Sequence, residues 1–397
     1  MKTKCKFILF QSILILIWGT SSLHSERRGK LSNPEQLANQ LLQKAFNYIF
    51  SKQSPDGAWK SEHYGLLKSG QSLTPFILHT LSGSTLQKSQ IYEKMVEQAM
   101  NYLRSYNEMG VHGISDPDLL DYPNYSTSYA LHCFLRFGNK NDQESIKNMI
   151  NYLQNQQFSE GSGFPQNSPA HGGWGFGINQ KPTMGSFVDL AHTRRILQSL
   201  NDANSITNRI KSRSEYFLNR LQKRKEVPND SQIKWIPEYG YDGGFFSSPT
   251  IAYANKGRTL VDQDSGEKYF RSYATATCDG LLSMIALDYD LNSREIKDAK
   301  NWLLQNQDWA LPSGVPLDDP SPWAESMKFY NLMALAEVHS SLQISGSWKK
   351  NIVHFLAKRQ TTDGSFINLD GRLMKEDDPL ISTTYAIVAL NQVLCSN

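Results

Sequence analysis

HGGWGFGINQKPTMGSFVDLAHTRRILQSL, from His171 to Leu200, holds both halves of a plan that recurs along the chain. A glycine-aromatic turn, Gly172-Gly173-Trp174, leads through a loop into a helical pattern that opens at Asp189. The turn follows an amphipathic segment, MINYLQNQQFSEGSGF (149–164), with its aromatic, aliphatic and Gln positions in order. AFNYIFSKQSPDGAWK (45–60) and IVHFLAKRQTTDGSFIN (352–368) repeat that order, and weaker copies lie at 99–113, 214–226 and 299–314. Their aromatic anchors are Tyr48, Tyr102, Tyr152, Phe217, Trp302 and Phe355. Apolar residues recur around these anchors at three- and four-residue spacing, the signature of helices buried along one stripe.

After each copy comes a second helical pattern, opened by Ser, Thr, Asp or Glu, at 72–81, 126–138, 189–200, 275–287, 324–338 and 382–394. Oxygen-bearing side chains at a helix start accept from free backbone N–H groups. These second helices are small or apolar around most of their circumference, which predicts an inner position. Six outer helices alternating with six inner ones, at about 50 residues per pair, form a repeat architecture. Closure into a ring explains why the inner set is the less polar. The expected fold is therefore an all-α, α/α toroid, with the inner N-termini at one mouth of a central cavity.

The first residues form a separate unit. Lys2, Lys4 and Lys6 precede an apolar run from Phe7 to Trp18, and small residues follow to Ser25. This is the export-signal pattern, and the run is shorter than the roughly 20 residues of a membrane span. Residues 1–25 are expected to be a signal peptide and 26–397 a single toroid domain. The destination is periplasmic or extracellular, with membrane association allowed but no stable transmembrane span once the signal is removed. With Lys+Arg 41 against Asp+Glu 38, the chain lacks the clustered basic footprint of a nucleic-acid binder. Cys133, Cys278 and Cys395 are dispersed, and neither a disulfide framework nor a zinc spacing is present. No metal and no cofactor are expected, and the oligomeric state is left open.

The Gln…Gly-aromatic repeats resemble the QW motifs of squalene and oxidosqualene cyclases, KAFNYIFSKQSPDGAW (44–59) most fully. DGGFF (242–246), RSYATATCDGLLSM (271–284) and the segment 358–390 look like single-toroid, exported squalene-cyclase-like proteins of bacteria. In that family a GGW-type turn precedes an inner helix that begins Asp-x-Asp-Asp-Thr, and the middle Asp is the acid. Here the corresponding residues are Asp189-Leu190-Ala191-His192-Thr193. Cyclisation by alkene protonation needs a strong, preorganised acid above a cavity whose aromatic faces stabilise cations. Alanine at position 191 supplies no proton, so the resemblance implies the fold and a hydrophobic isoprenoid or lipid ligand more firmly than it implies the reaction. The prenyltransferase β-subunits share the toroid but bind zinc through an Asp-x-Cys pair and a His. Cys278 has Ala276 where the Asp belongs, and the last inner helix has no His.

If the chain is an enzyme, the polar chemistry at the mouth is expected from Asp189, His192, Asp279 and Glu325. Trp174, Tyr273, Tyr330 and Arg271 are expected to bind substrate. Structural roles compete for several of these residues. Asp189 also reads as a helix cap, Trp174 as a packing aromatic and Cys278 as a small buried residue. Asp318-Asp319 and Asp377-Asp378 read as turn formers before proline. Arg194-Arg195, inside an inner helix, calls for a buried carboxylate partner such as Asp189, or an anionic ligand. The other functional classes are a carbohydrate-active toroid enzyme, which predicts an open polar groove, and a non-catalytic scaffold, which predicts a filled centre.

Overall fold

The computed structural model describes residues 33–83, 89–106, 109–116, 122–178, 187–225, 240–250, 252–257, 259–261, 263–264, 266 and 268–395. The expected export signal lies outside them. The outer helices are α1 (Asn33–Ser51), α3 (Gln90–Arg104), α6 (Gln143–Asn155), α8 (Asn208–Leu221), α10 (Arg294–Gln305) and α12 (Trp348–Ala357). The inner helices are α2 (Leu73–Ser82), α5 (Pro123–Phe137), α7 (Leu190–Asp202), α9 (Ala274–Ala286), α11 (Lys328–Ser341) and α13 (Pro379–Cys395). A single helical turn, α4 (Met109–His112), and a short antiparallel hairpin, β1 (Leu260–Val261) with β2 (Lys268–Tyr269), decorate the connections.

Each inner helix packs on the next, α2 on α5, α5 on α7, α7 on α9, α9 on α11, α11 on α13, and α13 returns to α2. The expected α/α toroid is what the chain forms. Burial follows the two patterns in the sequence. Outer α10 buries only Ile296, Ala299, Trp302 and Leu303, whereas inner α9 buries nearly every residue from Ala274 to Ala286. Helices covered on most sides can be apolar throughout; those facing water on one side cannot.

The repeat has a physical reason. The recurring Gln of the repeat links two outer helices. Gln360 Nε2 donates to Gly364 O at 3.0 Å and to Leu41 O of α1 at 2.8 Å. Gln222 makes the same pair of bonds to Gly243 O at 3.0 Å and Glu295 O at 2.9 Å. The turn aromatic then ties the outer layer to the inner one. The backbone N–H of Trp174 donates to Thr193 Oγ1 at 3.1 Å, and that of Phe366 to Thr383 Oγ1 at 2.9 Å. Phe245 with Thr277, and Trp59 with Thr74, repeat this contact. The glycine of the turn is required where the next outer helix presses on it. Gly172 has φ +90, and a Cβ there would stand 2.0 Å from Arg213 O.

Candidate functional site

A cavity of about 410 Å³ opens at the N-terminal end of the inner ring. Every inner helix contributes its first turns or cap to the wall: Ser72 and Phe76, Tyr125, Asp189 and His192, Tyr273 and Asp279, Tyr330, and Ile381 and Tyr385. Tyr122, Phe176, Phe187 and Trp323 add ring faces from the connecting loops. The rings also touch one another. Phe176 stacks on Phe187 with centroids 4.1 Å apart, and Phe76 lies 5.4 Å from Tyr385. The centre of the ring is therefore open, not filled, and its wall is chiefly aromatic.

Polar groups interrupt that wall, among them the acids Asp189 and Asp279. Asp189 caps α7: its Oδ1 accepts the His192 backbone N–H at 2.8 Å and faces the imidazole Nδ1 at 2.9 Å. Burial pushes the Asp189 carboxyl up, but His192 and its N–H outweigh this and hold it below its ordinary value. This residue is therefore a carboxylate, both cap and partner to the imidazole. Asp279 lies on α9. Its carboxylate accepts from Arg194 Nη1 at 2.9 Å and from the Tyr330 hydroxyl at 2.9 Å. Burial raises the Asp279 carboxyl, and the opposing pull of Arg194 and Arg195 offsets this only in part. Of the two acids on the wall, Asp279 is the one inclined to hold a proton.

Arg194 is fully buried and also donates to Glu337. Arg195 approaches Glu337 at 3.7 Å and sits 5.6 Å from the Tyr129 ring centroid. The arginine pair thus finds Asp279 and Glu337 as partners, not Asp189. Arg195 lines the mouth cavity and also a second cavity, of about 440 Å³, at the C-terminal ends of α2 and α13. The Arg194-Arg195-Glu337-Asp279 network is the floor between the two.

Three residues expected at the site stand outside the cavity wall. Trp174 is fully buried, and its indole N–H donates to Leu153 O of α6 at 2.8 Å, so this ring packs the two layers together. Glu325 opens a single 3-10 turn before α11, and its side chain is not part of the lining. Arg271 lies before α9, where burial lowers its pKa and the carboxylates Asp318 and Asp319 raise it; it too is absent from the lining. Asp189, His192, Asp279, Tyr273 and Tyr330 are brought together. Cys278 is a buried free thiol, and burial pushes its pKa well up, which suits packing and not nucleophilic attack. Asp319 Oδ1 accepts from Ser321 N at 2.9 Å and Asp378 Oδ1 from Leu380 N at 2.9 Å, both turn contacts. No group of three metal-ligating side chains occurs among the described residues, and none of their helices is long and apolar enough to cross a membrane.

Among the lining residues not foreseen are Tyr122, Lys256 and Lys375. Lys256 and Lys375 lie in loops, where no periodicity points inward. Tyr122 immediately precedes α5, and its left-handed backbone, φ 46, leaves no mark in a non-glycine sequence.

No family model matches the chain, and no curated protein matches it. Solved structures do. The type II terpene cyclase MstE from Scytonema superposes with a TM-score of 0.54 at 11% identity, over 91% of this chain and 98% of that one. A D-mannose isomerase aligns with a TM-score of 0.56 at 11% identity, over 92% of this chain and 99% of its own. A GH76 α-mannanase of Bacteroides thetaiotaomicron gives 0.53 at 10% identity, over 91% and 98%. All share the ring of paired helices seen here. The chain is an α/α toroid of their kind. At such identities the likeness establishes the fold of the toroid, while its chemistry rests on the side chains that line the cavity.

Proposed function

We propose that the toroid holds a hydrophobic, isoprenoid-like molecule in its mouth cavity. The observation that carries this is the wall: ring faces and aliphatic groups supplied from all sides, with the polar groups set among them. MstE, whose fold matches, is described in complex with geranylgeranyl dihydroxybenzoate, a prenyl-bearing substrate. Where the cyclase motif carries its acid, this chain has Ala191, so protonation at that position is not its chemistry. Any proton transfer to a bound alkene would start from Asp279, whose carboxyl burial raises above its ordinary value.

The test is direct. The purified chain is incubated with squalene and with geranylgeraniol, re-isolated, and extracted for mass spectrometry. Bound lipid in stoichiometric amount is expected; absence of both bound lipid and product overturns the reading. Turnover, if recorded, should vanish in Asp279→Asn. Turnover that survives in that variant removes Asp279 as the acid.

A second reading draws on the Asp189–His192 pair at 2.9 Å, an acid–base couple open to the cavity. Two of the matching folds act on mannose or mannan by name. Incubation with D-mannose and mannan oligosaccharides separates the readings: isomerised or cleaved sugar, lost in His192→Gln, favours carbohydrate chemistry. Export is proposed from residues 1–25, and N-terminal sequencing of the protein recovered outside the cytoplasm tests it.

A further inference from the structure

Seven described residues other than glycine have a left-handed backbone. Asn204, Asp288 and Gln343 follow the C-terminal ends of α7, α9 and α11, an ordinary place for that conformation. Tyr122 (φ 46), Ile178 (φ 46), Lys256 (φ 53) and Lys375 (φ 58) lie in the connections, Lys256 directly after the 3-10 turn Ala252–Asn255, and all but Ile178 line the mouth cavity. Long side chains in this region are held there by their surroundings, and such positions concentrate where ligands are clamped.

The two ammonium groups share an environment. Lys375 Nζ donates to the Tyr122 hydroxyl at 3.0 Å and lies 5.3 Å from that ring's centroid. Lys256 Nζ stands 5.0 Å from the Trp323 ring centroid. Among the described residues neither has a carboxylate within 4.0 Å, although acids are close by. Asp279 is paired with Arg194 and Glu337 with both arginines, while Asp189, which faces the His192 imidazole, acts on Lys256 from beyond that distance. The cavity thus sets two ammonium groups against one such carboxylate, a net positive charge, beside aromatic faces that orient them. The N-termini of the inner helices add potential of the same sign at this end. Both lysines are part-buried, and an anion entering the mouth offsets their excess charge.

We propose that Lys256 and Lys375 form an oxyanion site at the cavity mouth, so that the occupant is an amphiphile with a phosphate or carboxylate head and an apolar body. This deepens, and rests on, the hydrophobic reading of the cavity. The head sits between the two ammonium groups and the Tyr122 hydroxyl; the body lies along Phe76, Tyr330 and Tyr385. Burial, together with the charge of Lys375, already holds the Lys256 ammonium below its ordinary pKa. A bound anion acts in the opposite sense, so binding weakens as pH rises through the lysine range.

The experiment compares matched probes on the full chain, read by the fluorescence of tryptophan, one of which, Trp323, lies under Lys256. Farnesol and farnesyl monophosphate differ in the head alone, and palmitate tests a carboxylate head against a phosphate. Farnesyl monophosphate is expected to bind at least tenfold more tightly than farnesol, with the ratio falling as salt is raised. Lys256→Met and Lys375→Met should each bring the ratio towards one, their folding checked by circular dichroism. Palmitate preferred over the monophosphate would make the head a carboxylate; the reverse makes it a phosphate. Equal binding of alcohol and monophosphate, or a ratio untouched in both variants, overturns the anion site and leaves the hydrophobic reading standing. Binding of no prenyl probe overturns the hydrophobic reading instead. The anion site is then decided by inorganic diphosphate alone: a thermal shift lost in the lysine variants retains it, and no shift ends it.

Discussion

At Asp189 one carboxylate accepts the first-turn N–H of α7 and meets the His192 imidazole as well. Replacing it with Ala should destabilise the fold by about 1 kcal/mol, as for other lost caps, measured by urea unfolding. Its folded pKa is depressed, so this contribution is present above the ordinary value of 3.8 and is lost as pH falls through the folded value. Glu376 behaves oppositely. It accepts from Phe329 N, Tyr330 N and Asn368 Nδ2, and so fixes the loop of Lys375 to the first turn of α11. Burial raises its carboxyl from 4.5 to about 7 against the pull of those donors. Between these values the folded chain keeps a proton that the unfolded chain has lost. Stability should therefore fall as pH rises from 4.5 to about 7, by at most about 3 kcal/mol, and then level off. Unfolding of Glu376→Gln across the same range should lack this slope; an unchanged slope would assign it to another group. Arg194→Met removes the ion-pair partner of Asp279 and one of the two of Glu337, and loss of one partner from a buried ion pair costs about 3–5 kcal/mol. Pairing it with Asp279→Leu should recover part of the loss.

Each element is held to its neighbours by a few recurring contacts. Gly172→Ala forces a Cβ to within 2.0 Å of Arg213 O, at φ +90, so α6 and α8 must separate. A loss of several kcal/mol or failure to fold is expected, against about 1 kcal/mol for an exposed helix glycine exchange. Gln360→Ala removes two bonds at once and should cost about 1–3 kcal/mol, concentrated at the α12–α1 seam where amide exchange would quicken. These elements were the most legible part of the sequence. The outer stripes, the inner apolar helices and the turns all follow from spacing and from glycine placement. The expected side-chain caps were less general: among the inner helices Asp189 makes one, whereas Thr193, Thr277 and Thr383 instead receive the N–H of the turn aromatic. Composition at a helix start does not distinguish these two uses of a hydroxyl.

For the whole molecule the decisive fact is that α13 packs on both α1 and α2. Truncation before Pro379 should unfold the ring and not simply shorten it, with far-ultraviolet dichroism and unfolding cooperativity both lost. A stable, cooperative fragment would show instead that the arc stands without closure. Ring geometry also explains what of the site could be read in advance. Asp189, Asp279, Tyr273 and Tyr330 sit at inner-helix starts, so knowing the helices places them at the mouth. Trp174 and Arg271 are close in sequence to such starts yet lie outside the wall, because neighbours in sequence diverge where a turn meets a helix. Lys256 and Lys375 enter from loops, and which loop folds over the mouth is settled by contacts among distant segments.

Closure of the ring has a consequence in time. Helices α1 and α2 find their last partner in residues 379–395, which are synthesised after every other helix of the ring. A growing chain therefore carries the apolar face of α2 without its cover until α13 has been made. The chain as a whole is delivered unfinished to whatever meets it during synthesis, and closure becomes a single late event that competes with aggregation and with any machinery that takes up unfolded polypeptide.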